Sequence, residues 1–113
     1  MSDKKYTVRV TKHAKDSLRH ISNSIKLEKQ APMAATNWAR KTKAAIQDLS
    51  LFPEKNGLTP DEPWHSLGVH RMVHGSFFVY YMIFEDDSLV RVVDIIYQRR
   101  EQVKALPKTP LSE

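Results

Sequence analysis

The sequence predicts a small α+β domain in which two helices pack on one sheet. Three observations support this class: an alternating segment near the start, two helical stripes of apolar residues after it, and β-rich segments in the second half. The element order is therefore β-α-α-β-β-β. Because the helices form one block and most strands form another, we expect a helical hairpin packed on a small antiparallel sheet.

The first half of the chain contains one strand and both helices. Apolar and polar side chains alternate from Lys5 to Thr11, which predicts a strand. From residue 12 the apolar residues follow helical spacing, and the Thr11 hydroxyl can cap this helix. Pro32 begins the second helix, because proline at a first helical position forfeits no intrahelical hydrogen bond, and Pro53 ends it. A short connection at residues 29–31 makes the pair an antiparallel hairpin.

A loop and three β segments dominate the second half. The loop at residues 56–66 contains an Asn-Gly pair and two prolines, which exclude regular structure. Strands are predicted over residues 69–73, 77–84 and 89–97. The middle one is apolar throughout, so we expect it at the centre of the sheet. Residues 98–106 are compatible with a short basic helix, and residues 1–4 and 107–113 are expected to fray.

Length and composition fit one domain over residues 1–113. The chain has no cysteine, which excludes disulfide scaffolds, thiolate catalysis and cysteine-ligated zinc. It begins without an apolar run that could serve as a signal peptide, and its longest apolar stretch is too short for a membrane helix. We therefore expect a cytoplasmic protein with no membrane role. The net charge of +5 favours polyanionic partners, although such a surplus also serves solubility alone.

The most specific motif lies at the end of the predicted sheet. A strand carrying Arg71 leads through Gly75 into Phe78-Val79-Tyr80-Tyr81, and the last strand ends in the sequence DIIYQRRE. Together with the element order, this region resembles the RelE/ParE superfamily of toxins from type II toxin–antitoxin systems. The detailed likeness covers the last strands, and the element order covers nearly the whole chain. The resemblance implies one toxin-like domain.

The RelE/ParE superfamily contains two activities. RelE-like members are ribosome-dependent mRNA endonucleases, and ParE-like members act on DNA gyrase. The ending IIYQRRE is more similar to the ParE-like pattern. The resemblance therefore implies a toxin that inhibits growth by binding DNA gyrase and is neutralised by a cognate antitoxin. The alternatives are an mRNA interferase that acts on the ribosome and mRNA, and an inactive relative retained as a binding protein.

RNA cleavage by a 2′-hydroxyl group requires a base, cations and an acid. RelE-like nucleases place an arginine near the start of the third strand, where this chain has Phe77 or Phe78. They also place a tyrosine or histidine in the tail, and residues 101–113 contain neither. The sequence thus favours a toxin that is not an enzyme and needs no cofactor. For a nuclease, the candidate catalytic residues are Arg71, Arg100, His70 and Tyr97.

The ParE-like interpretation needs contact residues rather than catalytic ones. Arg99 and Arg100 directly follow a buried strand, which holds them on a rigid element, and the alternative interpretation is a solvated basic tail. Alternation places Tyr80 and Tyr81 on opposite faces of their strand, where each either packs across strands or presents its ring to a partner. The predicted target-binding residues are Arg71, Tyr81, Arg99 and Arg100.

Several other side chains have alternative interpretations. His65, His70 and His74 lie close in sequence, but their spacing matches no zinc arrangement, so no metal site is predicted, and surface or turn histidines without a function are favoured over a catalytic base. Trp64 is either a lid over the core or an exposed contact. Asp94 is an acid within a β run, and we expect it to pair with Arg71 or Arg91 on a neighbouring strand.

Two features of the sequence are compatible with binding of the antitoxin. Basic patches attract acidic side chains, and a short outer strand leaves free backbone groups to which a partner strand can be added. The patches are Lys12, Lys15 and Arg19 on the first helix and Arg40, Lys41 and Lys43 on the second.

Overall fold

The computed structural model describes residues 5–98 and 106–113. The α+β class and the element order are confirmed there. The elements are β1 (Thr7–Val10), α1 (Lys12–Glu28), α2 (Pro32–Gln47), β2 (Val69–His74), β3 (Phe77–Phe84) and β4 (Leu89–Tyr97). Among these residues no helix is both long and apolar enough to span a membrane.

The sheet is mixed rather than wholly antiparallel. Its strand order is β1-β4-β3-β2, so β3 and β4 are central and β1 and β2 are edges. β3 pairs antiparallel with both β2 and β4, whereas β1 pairs parallel with β4. The parallel pair arises because the helical hairpin carries the chain across the sheet between β1 and the meander.

Both helices begin where the sequence predicts. The hydroxyl of Thr11 accepts the backbone N–H of Ala14 at 3.1 Å, and the Thr11 N–H donates to the Val92 carbonyl at 3.0 Å. One residue therefore caps α1 and ties its start to β4. Pro32 lies in the first turn of α2, which ends at Gln47 in a 3₁₀ turn before Pro53 is reached.

One face of the sheet packs under the helical hairpin. Its centre is Tyr81, which is fully buried and donates its hydroxyl hydrogen to the Pro53 carbonyl. The same hydroxyl accepts the side-chain amide of Asn56 at 3.2 Å, and the His70 ring stacks at 5.2 Å. The centre of this helix face is apolar, and the Tyr81 hydroxyl and the His70 ring within it are hydrogen-bonded. Its buried residues include Tyr6, Ala14, Ile46, Leu49, Met72, Val79, Tyr81, Val90, Val92 and Ile95.

The opposite face of the sheet is covered by a loop and by the end of the chain. Leu106 is fully buried there, with Leu111 and the half-buried Trp64 packed against the same cluster. Trp64 is thus a lid over the core, the first of the two alternatives. Within residues 107–113, which are expected to fray, Thr109 is buried and Leu111 packs against this cluster, whereas the other five residues are exposed. The basic helix predicted at 98–106 falls mostly outside the described residues.

Candidate functional site

Arg71 lies in the middle of β2 on the face away from the helices. Its guanidinium carbon is 4.3 Å from the centroid of the Phe78 ring, a cation–π distance. Arg71 is partly exposed and makes no ion pair with any residue in the described part of the chain. The strand and the ring therefore hold an accessible cation whose ionic partner is not supplied by these residues.

Tyr80 lies directly opposite Arg71 on β3. It is fully buried, and its hydroxyl has no hydrogen-bond partner among the described residues. Burial raises the pKa of this hydroxyl to about 12, while the nearby Arg71 guanidinium acts against the increase without a well-formed hydrogen bond. An unpaired buried hydroxyl costs free energy. We call Arg71, Phe78 and Tyr80 together the Arg71 surface.

Asp94 is a structural hub rather than the partner of an arginine. Its Oδ1 accepts the Ser17 hydroxyl at 2.7 Å and the Ile95 N–H at 2.8 Å. Its Oδ2 accepts the His13 ring at 3.1 Å and the Thr109 hydroxyl. The predicted pairing with Arg71 or Arg91 is wrong, because β1 stops beside Val92 and leaves the next part of β4 open to the start of α1.

Arg91 also differs from the expected partner of Asp94. Its guanidinium lies 4.5 Å from the Phe84 ring centroid and donates to the Leu111 carbonyl at 3.1 Å. A weaker contact of 3.8 Å joins it to Glu113. Arg91 therefore binds the end of the chain, whereas the Arg71 guanidinium makes no ion pair with the described residues.

The three clustered histidines have structural contacts. His70 and His74 share the helix face, as their spacing predicts. One ring nitrogen of each histidine is hydrogen-bonded within the fold. The partner of His65 is the Thr59 carbonyl at 3.0 Å, that of His70 is the Asn56 carbonyl at 2.7 Å, and that of His74 is the Thr42 hydroxyl at 3.0 Å. The described residues contain no group of three side chains that could hold a metal ion.

The candidate catalytic residues that the structure describes do not lie together at one site. Arg71 and His70 are neighbours on β2 and point to opposite faces of the sheet. Tyr97 lies on the helix side, with its ring 5.1 Å from the Phe77 ring. Tyr81, predicted as a contact, is buried beneath the helices. The remaining candidates, Arg99 and Arg100, lie outside the described residues.

A groove of about 590 Å³ runs beside the edge strand β1. Val8, Val10, Leu18 and Ile46 contribute apolar lining. Its basic lining residues come from both predicted patches: Lys15 and Arg19 from α1 and Lys43 from α2. The structure thus joins two separate sequence patches into one surface, which we call the basic groove.

Another groove, of about 570 Å³, lies between the helical hairpin and the turn from β2 to β3. Its aromatic lining is a row of three rings, in which Trp38 contacts Phe77 and Phe77 contacts Tyr97, both at 5.1 Å between centroids. Its charged lining residues have both signs, Glu28 and Lys29. This groove is therefore apolar without a marked charge preference.

The fold is similar to those of several solved toxins. The chromosomal ParDE TA system from P. aeruginosa matches with a TM-score of 0.66 at 16% identity, over 85% of this chain and 98% of that chain. The free E. coli toxin RelE (a mutant) matches with a TM-score of 0.59 at 12% identity, over 89% and 92%. The RelBE2 toxin–antitoxin complex from Mycobacterium tuberculosis gives 0.53 at 22%, over 85% and 94%.

These identities are low, so the structural likeness speaks for the fold alone. No curated protein matches the sequence. A family described as the ParE toxin of the type II toxin-antitoxin system parDE does match, over residues 8–102, which is most of the chain. The motif in the last strands and this match agree. The chain belongs to the ParE toxin family of type II toxin–antitoxin systems.

Proposed function

We propose that this ParE-family toxin inhibits growth by binding DNA gyrase and that a cognate antitoxin neutralises it. The observation that carries the proposal is the family match over residues 8–102. The toxin would then be a protein-binding module whose action depends on contact residues and on no cofactor.

The placement of the candidate residues supports binding over cleavage. A nuclease needs its base within hydrogen-bond reach of the attacking hydroxyl and its cations around the same phosphate. Arg71 and His70 lie on opposite faces of the sheet, and the His70 Nδ1 already donates to the Asn56 carbonyl. A cation held on an aromatic ring, with the candidate base His70 on the opposite face of the sheet, suits recognition of an acidic group on a protein.

The Arg71 surface is our candidate contact for gyrase. Phe78 beneath the guanidinium restricts its position, which lowers the entropy that binding must remove. Arg99 and Arg100 are proposed contacts as well, on the basis of the family resemblance.

The basic groove is our candidate site for the antitoxin. Its apolar lining and basic residues suit an amphipathic segment that carries acidic side chains on one side. The neighbouring β1 is an edge strand, to which a partner strand can add. Two of the similar solved structures are toxin–antitoxin assemblies by their descriptions.

A pair of assays tests the proposed target. The purified chain is added to a DNA gyrase supercoiling assay, and mRNA cleavage is mapped in cells that express the chain without an antitoxin. We expect inhibited supercoiling and uncut transcripts. Arg71→Gln should weaken inhibition, and Arg40→Gln, an exposed helix residue outside the Arg71 surface, serves as the matched control. Codon-phased cuts with normal supercoiling would refute gyrase as the target, and the absence of any growth defect would indicate an inactive relative.

A binding measurement tests the antitoxin site separately. The cognate antitoxin is titrated against the chain carrying Lys15→Glu and Lys43→Glu, with Lys26→Glu and Lys55→Glu, two exposed lysines outside both patches, as the charge-matched control. Reversal inside the basic groove should weaken the complex more than reversal outside it, and the difference should shrink at high salt. Equal losses would place the antitoxin elsewhere.

A further inference from the structure

The end of the chain lies beyond the residues that match the toxin family. The match stops at residue 102, and residues 106–113 cross the sheet on the face opposite the helices. We call these residues the C-terminal strap. They are an addition of this chain to the matched domain, so a role specific to this protein can reside in them.

Side chains hold the strap in place. Leu106 is fully buried, and the Thr109 hydroxyl donates to Asp94. The Leu111 carbonyl accepts the Arg91 guanidinium at 3.1 Å, and Glu113 lies 3.8 Å from the same guanidinium. Glu113 also lies 3.9 Å from Arg9, so the strap is fastened at several points along its length.

The strap lacks the backbone hydrogen bonds that fix a strand. Its Thr109 N–H bonds within the strap to the Leu106 carbonyl, and no backbone–backbone hydrogen bond joins the strap to β4 among the described residues. Pro107 and Pro110 have no N–H with which to pair. A segment held by a few side chains can leave while the strands beneath it stay paired.

The strap belongs to the same apolar cluster as the Arg71 surface. Leu106 and Leu111 pack in the cluster that contains Tyr80 and Phe78, with Val93 and Ile96 beneath. Two groups of this face are incompletely paired: the Tyr80 hydroxyl has no well-formed hydrogen bond among the described residues, and the neighbouring Arg71 guanidinium makes no ion pair among them. The strap thus fills the apolar part of the face and leaves its polar part unsatisfied.

We propose that the C-terminal strap is a displaceable cover over the Arg71 surface and that the target enters by replacing it. The incoming segment is extended, inserts apolar side chains where Leu106 and Leu111 lie, and carries a carboxylate. Arg71 and the Tyr80 hydroxyl bind that carboxylate, which supplies what the strap does not. The identity of the partner rests on the proposed function, whereas the displacement of the strap does not.

A single thiol can report the opening of the strap, because the chain has no cysteine of its own. Leu106→Cys places the thiol at a fully buried position, and Ser112→Cys places it at an exposed position of the same strap. We call these the buried thiol and the exposed thiol, and the rate of reaction with an aromatic disulfide reagent is measured for each. Hydrogen exchange at the Thr109 amide, which is bonded to the Leu106 carbonyl, gives the same readout with position 106 unchanged.

Loosening the strap should raise these rates without unfolding the domain. In Thr109→Val the hydroxyl that bonds Asp94 is lost at nearly constant volume, so the rate of the buried thiol should increase about tenfold, as expected for a lost hydrogen bond to a charged group. The rate of the exposed thiol should not change. If the buried thiol and the Thr109 amide instead react only at the rate of global unfolding, the strap is part of the core and the proposal is overturned, whatever the target is.

The target is tested with the same buried thiol. DNA gyrase should accelerate the reaction of the buried thiol with the disulfide reagent. The Thr109→Val chain should inhibit supercoiling at lower concentrations than the unmodified chain does. Gyrase that is inhibited without any change in the rate of the buried thiol would contradict displacement. If neither the unmodified chain nor its variants inhibit gyrase, the proposed function is refuted. The comparison of the thiol and amide rates with the rate of global unfolding would then still test whether the strap opens.

Discussion

The two faces of the sheet differ in how completely their polar groups are paired. Tyr80 and Tyr81 are neighbours on β3 and both are fully buried, on opposite faces. The Tyr81 hydroxyl donates to Pro53 and accepts from Asn56, whereas the Tyr80 hydroxyl has no hydrogen-bond partner among the described residues. The buried tyrosine hydroxyl of the helix face is thus paired within the fold, whereas that of the face under the strap is left for a partner to bind.

This difference separates stability from function along one strand. A paired buried hydroxyl strengthens the fold, and an unpaired one weakens it. The face that carries the unpaired Tyr80 hydroxyl also carries Arg71, which we propose as a contact for the target. We therefore expect loss of the paired Tyr81 hydroxyl to reduce stability, and loss of the Tyr80 hydroxyl or of the Arg71 charge to reduce target binding with a smaller effect on stability.

The largest expected effect falls on Asp94, which connects both sides of the comparison. Asp94→Ala leaves four donors without their acceptor, two of them on α1 and one on the strap. We expect a loss of about 3 kcal/mol in the free energy of unfolding, measured by urea denaturation. Asp16→Ala, which breaks an exposed pair with Arg19, is the control and should cost about 0.5 kcal/mol or less. Similar losses for both would mean that Asp94 is not a hub.

The tyrosine pair gives the next effect and tests the comparison directly. Tyr81→Phe removes two hydrogen bonds and should cost about 1–2 kcal/mol. Tyr80→Phe removes a hydroxyl without a partner and should leave stability unchanged or raise it by up to about 1 kcal/mol. The same Tyr80→Phe should weaken gyrase inhibition. A Tyr80→Phe variant as destabilised as Tyr81→Phe would show that the two faces are equivalent.

The two arginines that stack on phenylalanine rings on the face under the strap should have smaller effects on stability and should differ in their effect on gyrase inhibition. Both guanidinium groups lie over phenylalanine rings, Arg71 over Phe78 and Arg91 over Phe84. Each substitution to Gln should cost about 0.5–1 kcal/mol of stability, since both stacks are partly exposed. Arg71→Gln should weaken gyrase inhibition about tenfold, as a charge-assisted contact is lost. Arg91→Gln removes one attachment of the strap and should not weaken gyrase inhibition. Parallel losses of inhibition would count against a cover held by Arg91.

The sequence predicted the helix face better than the strap face for physical reasons. Helical and strand periods are local, so the starts of α1 and α2 follow from Thr11 and Pro32. Alternation shows that Tyr80 and Tyr81 point oppositely but not which of them lies under the helices, and Tyr81 was therefore chosen as a contact although it is buried. Parallel and antiparallel strands alternate alike, so the pairing of β1 with β4 was not predictable.

The strap and the hub depend on contacts between distant parts of the chain. Leu106 and Leu111 are separated by prolines and follow no period, so their burial depends on a face left uncovered elsewhere. The partners of Asp94 depend on where β1 stops, which its own neighbours in sequence do not indicate. Arg71 is predicted from the motif around it, which resembles that of the family, and its role stays a prediction. The roles of Arg99 and Arg100 stay predictions.

The smallest expected effect is a pH dependence on the helix face. The Thr42 hydroxyl donates its one hydrogen to the Trp38 carbonyl, so the His74 Nε2 must donate to Thr42. Burial lowers the pKa of His74 below its ordinary value of 6.5 in the folded chain. Below pH 6.5 the unfolded chain therefore binds a proton more readily, and stability should fall as the pH decreases towards the folded pKa. Above pH 6.5 both states are neutral and the effect vanishes. His74→Gln retains a donor without this titration, so the difference in unfolding free energy between the two proteins should change between pH 7.5 and pH 5. A constant difference across that range would show that His74 is as solvated in the fold as in the unfolded chain.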